Sequence, residues 1–267
     1  MASPHPPYRF TDALTRTPAL SAVHGLRADD RGDPSVDGLR AEHAAYRAAL
    51  EQAGVSVTVL PAAEEFPDSM FVEDPALVFT AGAVVLRPGA PSRLGEAALI
   101  APVLEQHFPR VLALPTGPDD GHVDGGDVLT TAEAVIIGLS ARTDRTGAQA
   151  LVRLLADLGL VGEVAETPAG VLHFKTDCSL LDEETVLSTR RLASSGVFGR
   201  FRQVIVPDGE EAAANALRVN DVVLLGAQFP RTADLLATRG YTVVPVPTEQ
   251  IGLIDAGLSC MSLRWHR

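Results

Sequence analysis

Apolar and polar positions alternate along this chain in two rhythms that keep changing places. Leu39, Tyr46, Ala49, Leu50 and Ala53 fall on one face at helical spacing, which predicts a helix capped by Ser35 or Asp37, running to about residue 53 and stopped by Gly54. Residues 55–60 then alternate β-branched and polar side chains, as a half-buried strand does. Two apolar runs, 76–79 and 83–86, flank Thr80-Ala81-Gly82 and predict a hairpin. Ser92 is placed to cap a helix of about fifteen residues with Glu96 in its first turns. A short strand follows at 111–114, a strand pair at 128–139 around Glu133, and a helix at 143–158 that ends on Gly159. Further strands are predicted at 162–165, 172–175, 185–188, 204–206, 222–225 and 241–246, with short helices at 210–217 and 232–239. Residues 1–35 are rich in Pro, Gly and Asp and read as exposed loop.

A recurring order emerges: strand pair, helix, strand. Neighbouring strands are too frequent for a simple doubly wound βαβ chain, so the pattern predicts an α/β or α+β protein, treated as a single catalytic domain over residues 1–267. Composition narrows the partners. A net charge of −12 argues against nucleic acid, whose binding needs a basic patch, and weakly favours a cationic ligand. No apolar run approaches the ~18 residues of a membrane span, and the opening residues lack the basic and apolar parts of a secretory signal. Two cysteines, Cys178 and Cys260, suggest a reducing compartment, and the cytoplasm is the expected location.

The candidate chemistry lies where apolar elements begin. Cys260 has no second thiol nearby, so CxxC redox chemistry and thiolate clusters lack a partner; a buried bystander or a nucleophile remains. Asp68, Glu73 and Asp74 lead straight into the strand at 76, where they form either a solvated edge or a site, because carboxylates resist burial unless paired. In His122-Val123-Asp124-Gly125-Gly126-Asp127 the glycine pair permits positive φ and close approach of a ligand. The same run also reads as a hairpin turn or, through His122, as a weak metal pattern. His173 stands on a predicted strand as a core histidine or a catalyst, and it gains meaning if a thiol lies opposite. Together these groups suit a guanidinium, whose forked donors match carboxylates such as Asp74 and Asp124, while arginines would suit a carboxylate on the same ligand.

At this point a resemblance appears. Phe71-Val72-Glu73-Asp74, Arg87-Pro88-Gly89-Ala90-Pro91-Ser92-Arg93, Asp124-Gly125-Gly126-Asp127, Gly138-Leu139-Ser140-Ala141-Arg142-Thr143, His173 and Cys260 resemble, in order and spacing, the dimethylarginine dimethylaminohydrolase family of guanidine-modifying enzymes with the pentein fold. The resemblance implies a five-bladed α/β propeller of ββαβ units around a central channel. It implies hydrolysis of Nω-methylated arginines to citrulline and a methylamine, with no cofactor and no metal. Cys260 would be the nucleophile, His173 the general acid and base, and Asp124 and Asp74 the guanidinium partners. Arg93 and Arg142 would receive the substrate carboxylate; Asp68 and the backbone carbonyls of Leu26 and Ile254 would receive its amino group. Phe71 would wall the pocket and Glu73 would shape the loop that presents Asp74. Cys178 has no counterpart role and is read as structural, and Met261 stands where some relatives carry a second cysteine. The expected partner is a small molecule, with no nucleic acid, no membrane, and a homodimer left open. Other substrates in view are unmethylated arginine or another guanidine. A non-catalytic guanidine-binding scaffold and a metal hydrolase using His122, Asp124 and Asp127 complete the alternatives.

Overall fold

The computed structural model describes residues 5–28, 30–117 and 119–267. In chain order the elements are β1 (Asp12–Arg16), α1 (Val36–Gln52), β2 (Ser56–Leu60), β3 (Ala76–Phe79), β4 (Gly82–Val85), α2 (Glu96–His107) and β5 (Val111–Ala113). Next come β6 (Val128–Thr130), β7 (Val135–Leu139), α3 (Arg145–Asp157), β8 (Gly162–Glu166), β9 (Cys178–Leu180), β10 (Thr185–Ser188), α4 (Arg190–Ala193) and β11 (Arg202–Ile205). The chain closes with β12 (Leu217–Val219), β13 (Val222–Gly226), α5 (Pro230–Ala237), β14 (Thr242–Val246), α6 (Glu249–Gly252) and β15 (Leu263–Trp265).

Among the described residues these strands make five three-stranded sheets, each built alike. The first strand pairs antiparallel with the second, and the second pairs parallel with the third after a helix has crossed over, as in β3-β4-α2-β5. A parallel neighbour requires such a crossover, whereas an antiparallel one needs only a turn. The last sheet is assembled from both ends of the chain: β15 pairs antiparallel with β1, and β1 pairs parallel with β2. This is the expected five-bladed α/β propeller.

There is no single core. Among the described residues five apolar clusters form instead, each wedged between two neighbouring blades: Val84 and Val135 share one, Ile136 and Leu180 another, and Tyr46, Leu50 and Leu217 a third. Fully burying a side chain of this size contributes roughly 1.5–3 kcal/mol, so the blades are held mainly by their flanks. Charged groups gather at one level of the axis. Glu73, Lys175 and Arg264 meet there, and beyond them a cavity of about 970 Å³ is walled by the first strands of the blades.

Helix α1 is the clearest success of the apolar pattern: Leu39, Tyr46, Ala49 and Leu50 are buried, and the Ser35 hydroxyl accepts the Gly38 N–H at 3.0 Å as its cap. Four expectations are corrected. Ser92 caps nothing; Pro91–Arg93 is a short 3-10 turn, and α2 starts at Glu96 after Gly95. Residues 12–16, read as loop, form β1, the middle strand of its sheet; Ala13, Leu14, Thr15 and Arg16 are all buried, so no alternation of buried and exposed positions marks it. The strand expected at 172–175 is absent; His173 is extended and leads into a 3-10 turn at Phe174–Thr176, and the strand begins at Cys178. Finally, the helix expected at 210–217 is a 3-10 turn, Glu211–Ala214, followed by β12.

Candidate active site

The candidate catalytic residues share one position in the repeat. Asp74 lies just before β3, Asp124 before the turn that opens β6, His173 before the turn that opens β9, and Cys260 within the turn that opens β15. The first strands surround the axis, so four lead-in turns bring these side chains to one end of the channel. In the remaining blade the corresponding residue is Asn215, just before β12.

The imidazole side is held by acids. His173 Nε2 lies 3.0 Å from Asp124 Oδ2, and the other Asp124 oxygen accepts the Gly89 N–H at 2.7 Å. Asp74 Oδ1 accepts the Gly126 N–H at 2.9 Å, while Arg93 ion-pairs with Asp74 Oδ2. Arg93 itself is buried, bonded also to both oxygens of Glu96 and to the carbonyls of Asp68 and Phe71. Its spacing of three residues from Glu96 was visible in the sequence but not read as a pair.

The glycine pair works by closeness, not by unusual backbone angles: neither glycine has positive φ, and the run forms a 3-10 turn instead of a hairpin. A Cβ on Gly125 would strike the Glu73 carbonyl, and one on Gly126 would lie 2.9 Å from Asp74 Oδ1 and from the His173 ring. Glycine is what lets the three lead-ins touch.

Burial by itself would lower the His173 pKa, but the carboxylates of Asp74, Asp124 and Asp127 outweigh it and raise it to about 9. The imidazole therefore rests protonated at neutral pH. Asp74 is also buried, yet Arg93, His173 and the Gly126 N–H hold its carboxyl below the ordinary range.

The thiol side is built differently. Cys260 is half-buried against an apolar cluster that includes Phe71, Ile254, Leu258 and Met261. Burial, then the charges of Glu73 and Asp74, push its thiol up to about 12, against a smaller opposing pull from the Gly257 N–H and Lys175. Glu73 is fixed by Lys175 Nζ at 2.5 Å and Arg264 Nη2 at 3.0 Å, and its own N–H donates to the Cys260 carbonyl at 3.2 Å. Asn215 Oδ1 accepts the Ser259 N–H at 3.1 Å and its side chain packs directly on Gly257. Lys175, Arg264 and Asn215 escaped the sequence reading, since nothing in their local pattern distinguishes them. The charge of Asp74 acts on both Cys260 and His173.

A third cluster lies beside these. The Leu26 N–H donates to Asp68 Oδ1 at 2.9 Å, and a Cβ on Gly25 would fall 3.1 Å from that oxygen and 3.7 Å from Ile254 Cβ. Leu26, Asp68 and Ile254 are thus brought together. Arg142 is partly buried and close enough to stabilise the Asp68 carboxylate, whose pKa is nevertheless raised by burial. To reach a ligand, Arg93 would have to release one of its present bonds.

His122 does not join Asp124 and Asp127; its Nδ1 lies 2.8 Å from Asp144. Among the described residues, the one set of metal-ligating side chains that converges is Asp74, Asp124 and His173, with ligand atoms within 4.8 Å of one another. Such an array of two carboxylates beside an imidazole accommodates an extended planar cation as readily as an ion. Cys178 is buried, with its thiol pKa driven upward by desolvation and its Sγ donating to the Phe174 carbonyl at 3.3 Å.

The chain is similar to known proteins along nearly its whole length. Residues 62–211 match the family model described as arginine deiminase. The N(G),N(G)-dimethylarginine dimethylaminohydrolase of Pseudomonas aeruginosa is 38% identical over 96% of this chain and 100% of its own. The protein of the same name from Streptomyces coelicolor is 32% identical over 94% of this chain and 96% of its own. A structure of the Pseudomonas enzyme, a cysteine-to-serine mutant complexed with citrulline, superposes with a TM-score of 0.92, covering 96% of this chain and all of the other. The N-terminal domain of the cyanobacterial arginine dihydrolase ArgZ shares the fold at 18% identity, with a TM-score of 0.83 and coverage of 95% and 97%.

Proposed function

Since this chain belongs to the dimethylarginine dimethylaminohydrolase family, we propose that the cluster of Cys260, His173, Asp74 and Asp124 carries that family's reaction on Nω-methylated arginines. The protein is a cysteine hydrolase acting on amidines, converting methylated arginine to citrulline and a methylamine. The observation that supports the residue roles is the convergence of Asp74, Asp124 and His173, whose polar atoms lie within 4.8 Å of one another, with the charge of Asp74 felt at Cys260 as well.

A guanidinium is a poor electrophile because resonance spreads its charge. Asp74 and Asp124 fix the plane of the cation, with Phe71 as wall and Glu73 setting the loop behind Asp74. Burial and the charges of Glu73 and Asp74 keep the thiol protonated; a positive charge beside Cys260 offsets them, so substrate binding favours the thiolate, and the thiol proton leaves to solvent because His173 already carries its own. Its sulfur adds to the guanidinium carbon. His173 gives its proton to the departing dimethylamine nitrogen as the C–N bond breaks, and an S-alkylthiouronium remains on Cys260. Neutral His173 then takes a proton from water, the resulting hydroxide adds to the same carbon, and the C–S bond breaks to release citrulline and regenerate the thiol. The bond from Asp124 orients the ring and stabilises the imidazolium, leaving the second nitrogen for proton exchange.

At the other end of the substrate, Asp68 and the carbonyls of Leu26 and Ile254 receive the α-amino group. Arg142 meets the carboxylate, and Arg93 reinforces it as a fixed positive charge that also anchors Asp74. Two unpaired thiols suit a reducing compartment, and no helix among the described residues is long and apolar enough to cross a membrane; we place the protein in the cytoplasm. Incubation with asymmetric dimethylarginine tests the reading: citrulline and dimethylamine should appear in equal amounts and vanish in Cys260→Ser. Turnover of dimethylarginine by Cys260→Ser at the native rate would overturn it.

A further inference from the structure

One buried acid beside the site has no part in the steps above. Asp127 is fully buried at the end of the turn that follows Asp124. Its Oδ2 accepts the hydroxyls of Ser140 and Thr143, both at 2.7 Å, and its Oδ1 accepts the Phe174 N–H at 2.7 Å. Each hydroxyl is engaged a second time. Ser140 Oγ accepts the Arg142 N–H at 2.9 Å, and Thr143 Oγ1 accepts the Asp124 N–H at 3.1 Å.

We propose that Asp127 is a positioning residue: a single buried carboxylate that sets, through three backbone amides, where Asp124, His173 and Arg142 stand. The inference rests on the functional reading above and adds a residue to it. Phe174 follows His173 directly, so its bond to Oδ1 fixes the extended backbone that aims the imidazole. Thr143 relays the same anchor to the backbone of Asp124, the partner of that imidazole. Ser140 relays it to Arg142, at the carboxylate end of the substrate.

Hydrogen-bond bookkeeping requires Asp127 to be the acceptor at all three contacts. Each hydroxyl has one proton, and besides the backbone N–H it receives, its one hydrogen-bond partner among the described residues is Asp127, so that proton points to Asp127; the Phe174 amide can only donate. A protonated Asp127 would have to donate to one of the hydroxyls and leave that hydroxyl's own proton without an acceptor. The carboxylate must therefore stay ionised despite its burial, and its charge reaches the neighbouring imidazole. Asparagine is nearly isosteric but turns an NH2 toward one of those donors, which breaks the relay without leaving a cavity.

Asp127→Asn should therefore fold, lose activity about a hundredfold through misplacement of the reacting groups, and lower the pH at which the His173 imidazole titrates, followed by NMR. The two relays should separate. Ser140→Ala, which frees only Arg142, should raise KM about tenfold with kcat nearly unchanged, whereas Thr143→Val, which frees only Asp124, should lower kcat about tenfold with KM nearly unchanged. Thr143→Ser should restore kcat.

A folded Asp127→Asn with native kcat/KM and native imidazole titration would overturn the proposal. So would identical losses in kcat and KM for Ser140→Ala and Thr143→Val. Should Asp127→Asn fail to fold, the relay variants decide. The imidazole titration needs no turnover, so if the native protein does not hydrolyse dimethylarginine at all, the functional reading falls while the positioning role is still judged.

Discussion

The two sides of this site are built from opposite materials. His173 is held by hydrogen bonds to buried carboxylates, with Asp124 at 3.0 Å and Asp127 gripping the next backbone amide at 2.7 Å. Cys260 rests in apolar packing, with Gly257 and Asn215 shaping its turn and the nearest charges mainly negative. One acid, Asp74, favours both the charged imidazole and the neutral thiol, the latter kept neutral first of all by burial. In the proposed reaction the missing ingredient is one positive charge beside the thiol, and a guanidinium substrate supplies it. A site of this design spares its nucleophile from stray oxidants and electrophiles until the correct cation arrives, because the thiolate is the reactive form.

The comparison is broken most severely at the thiol. Cys260→Ser should cost about 10⁴-fold or more in kcat while leaving the imidazole titration near its native position, since the acids around His173 are untouched. A serine variant that retained turnover would show that the imidazole side can work without its counterpart. A smaller effect is expected at Asn215. Asn215→Ala removes the bond to the Ser259 N–H and should slow turnover about tenfold by loosening the Cys260 turn, again without moving the imidazole titration. A shifted titration would mean that the two sides are not separately built.

The smallest effect is on stability. The folded His173 pKa, about 9, lies above its ordinary value near 6.5, so the protonated imidazole stabilises the fold. That contribution is fully present below about pH 6.5 and is lost as the pH rises through about 9. The melting temperature should accordingly fall across that window in the native protein and fall less in His173→Gln. Parallel curves for the two would contradict the carboxylate-held imidazole.

These contrasts also explain what could be read beforehand. Helix α1 was legible because one of its faces is buried and the other wet, and that difference is written into its spacing. β1 was not legible, because both of its neighbours are distant in sequence and its partner β15 comes from the other end of the chain. The reactive residues could be picked out one by one, and the resemblance ordered them into a site. What stayed hidden is how each is held: Gly125 and Gly126 looked like a turn, whereas their role is to allow Glu73, Asp74 and His173 to approach. Contacts across blades, such as Lys175 to Glu73 or Asn215 to Ser259, join residues far apart in the chain. No local pattern encodes them.

Thiolate absorbance of Cys260, measured against pH with and without a guanidinium ligand that cannot be hydrolysed, tests the central claim most directly. The free protein should show no thiolate signal near neutral pH, with the Cys178→Ala variant as background, and binding of the cation should bring the signal down into that range. A thiolate already formed at pH 7 in the free protein, unchanged by the ligand, would contradict the account.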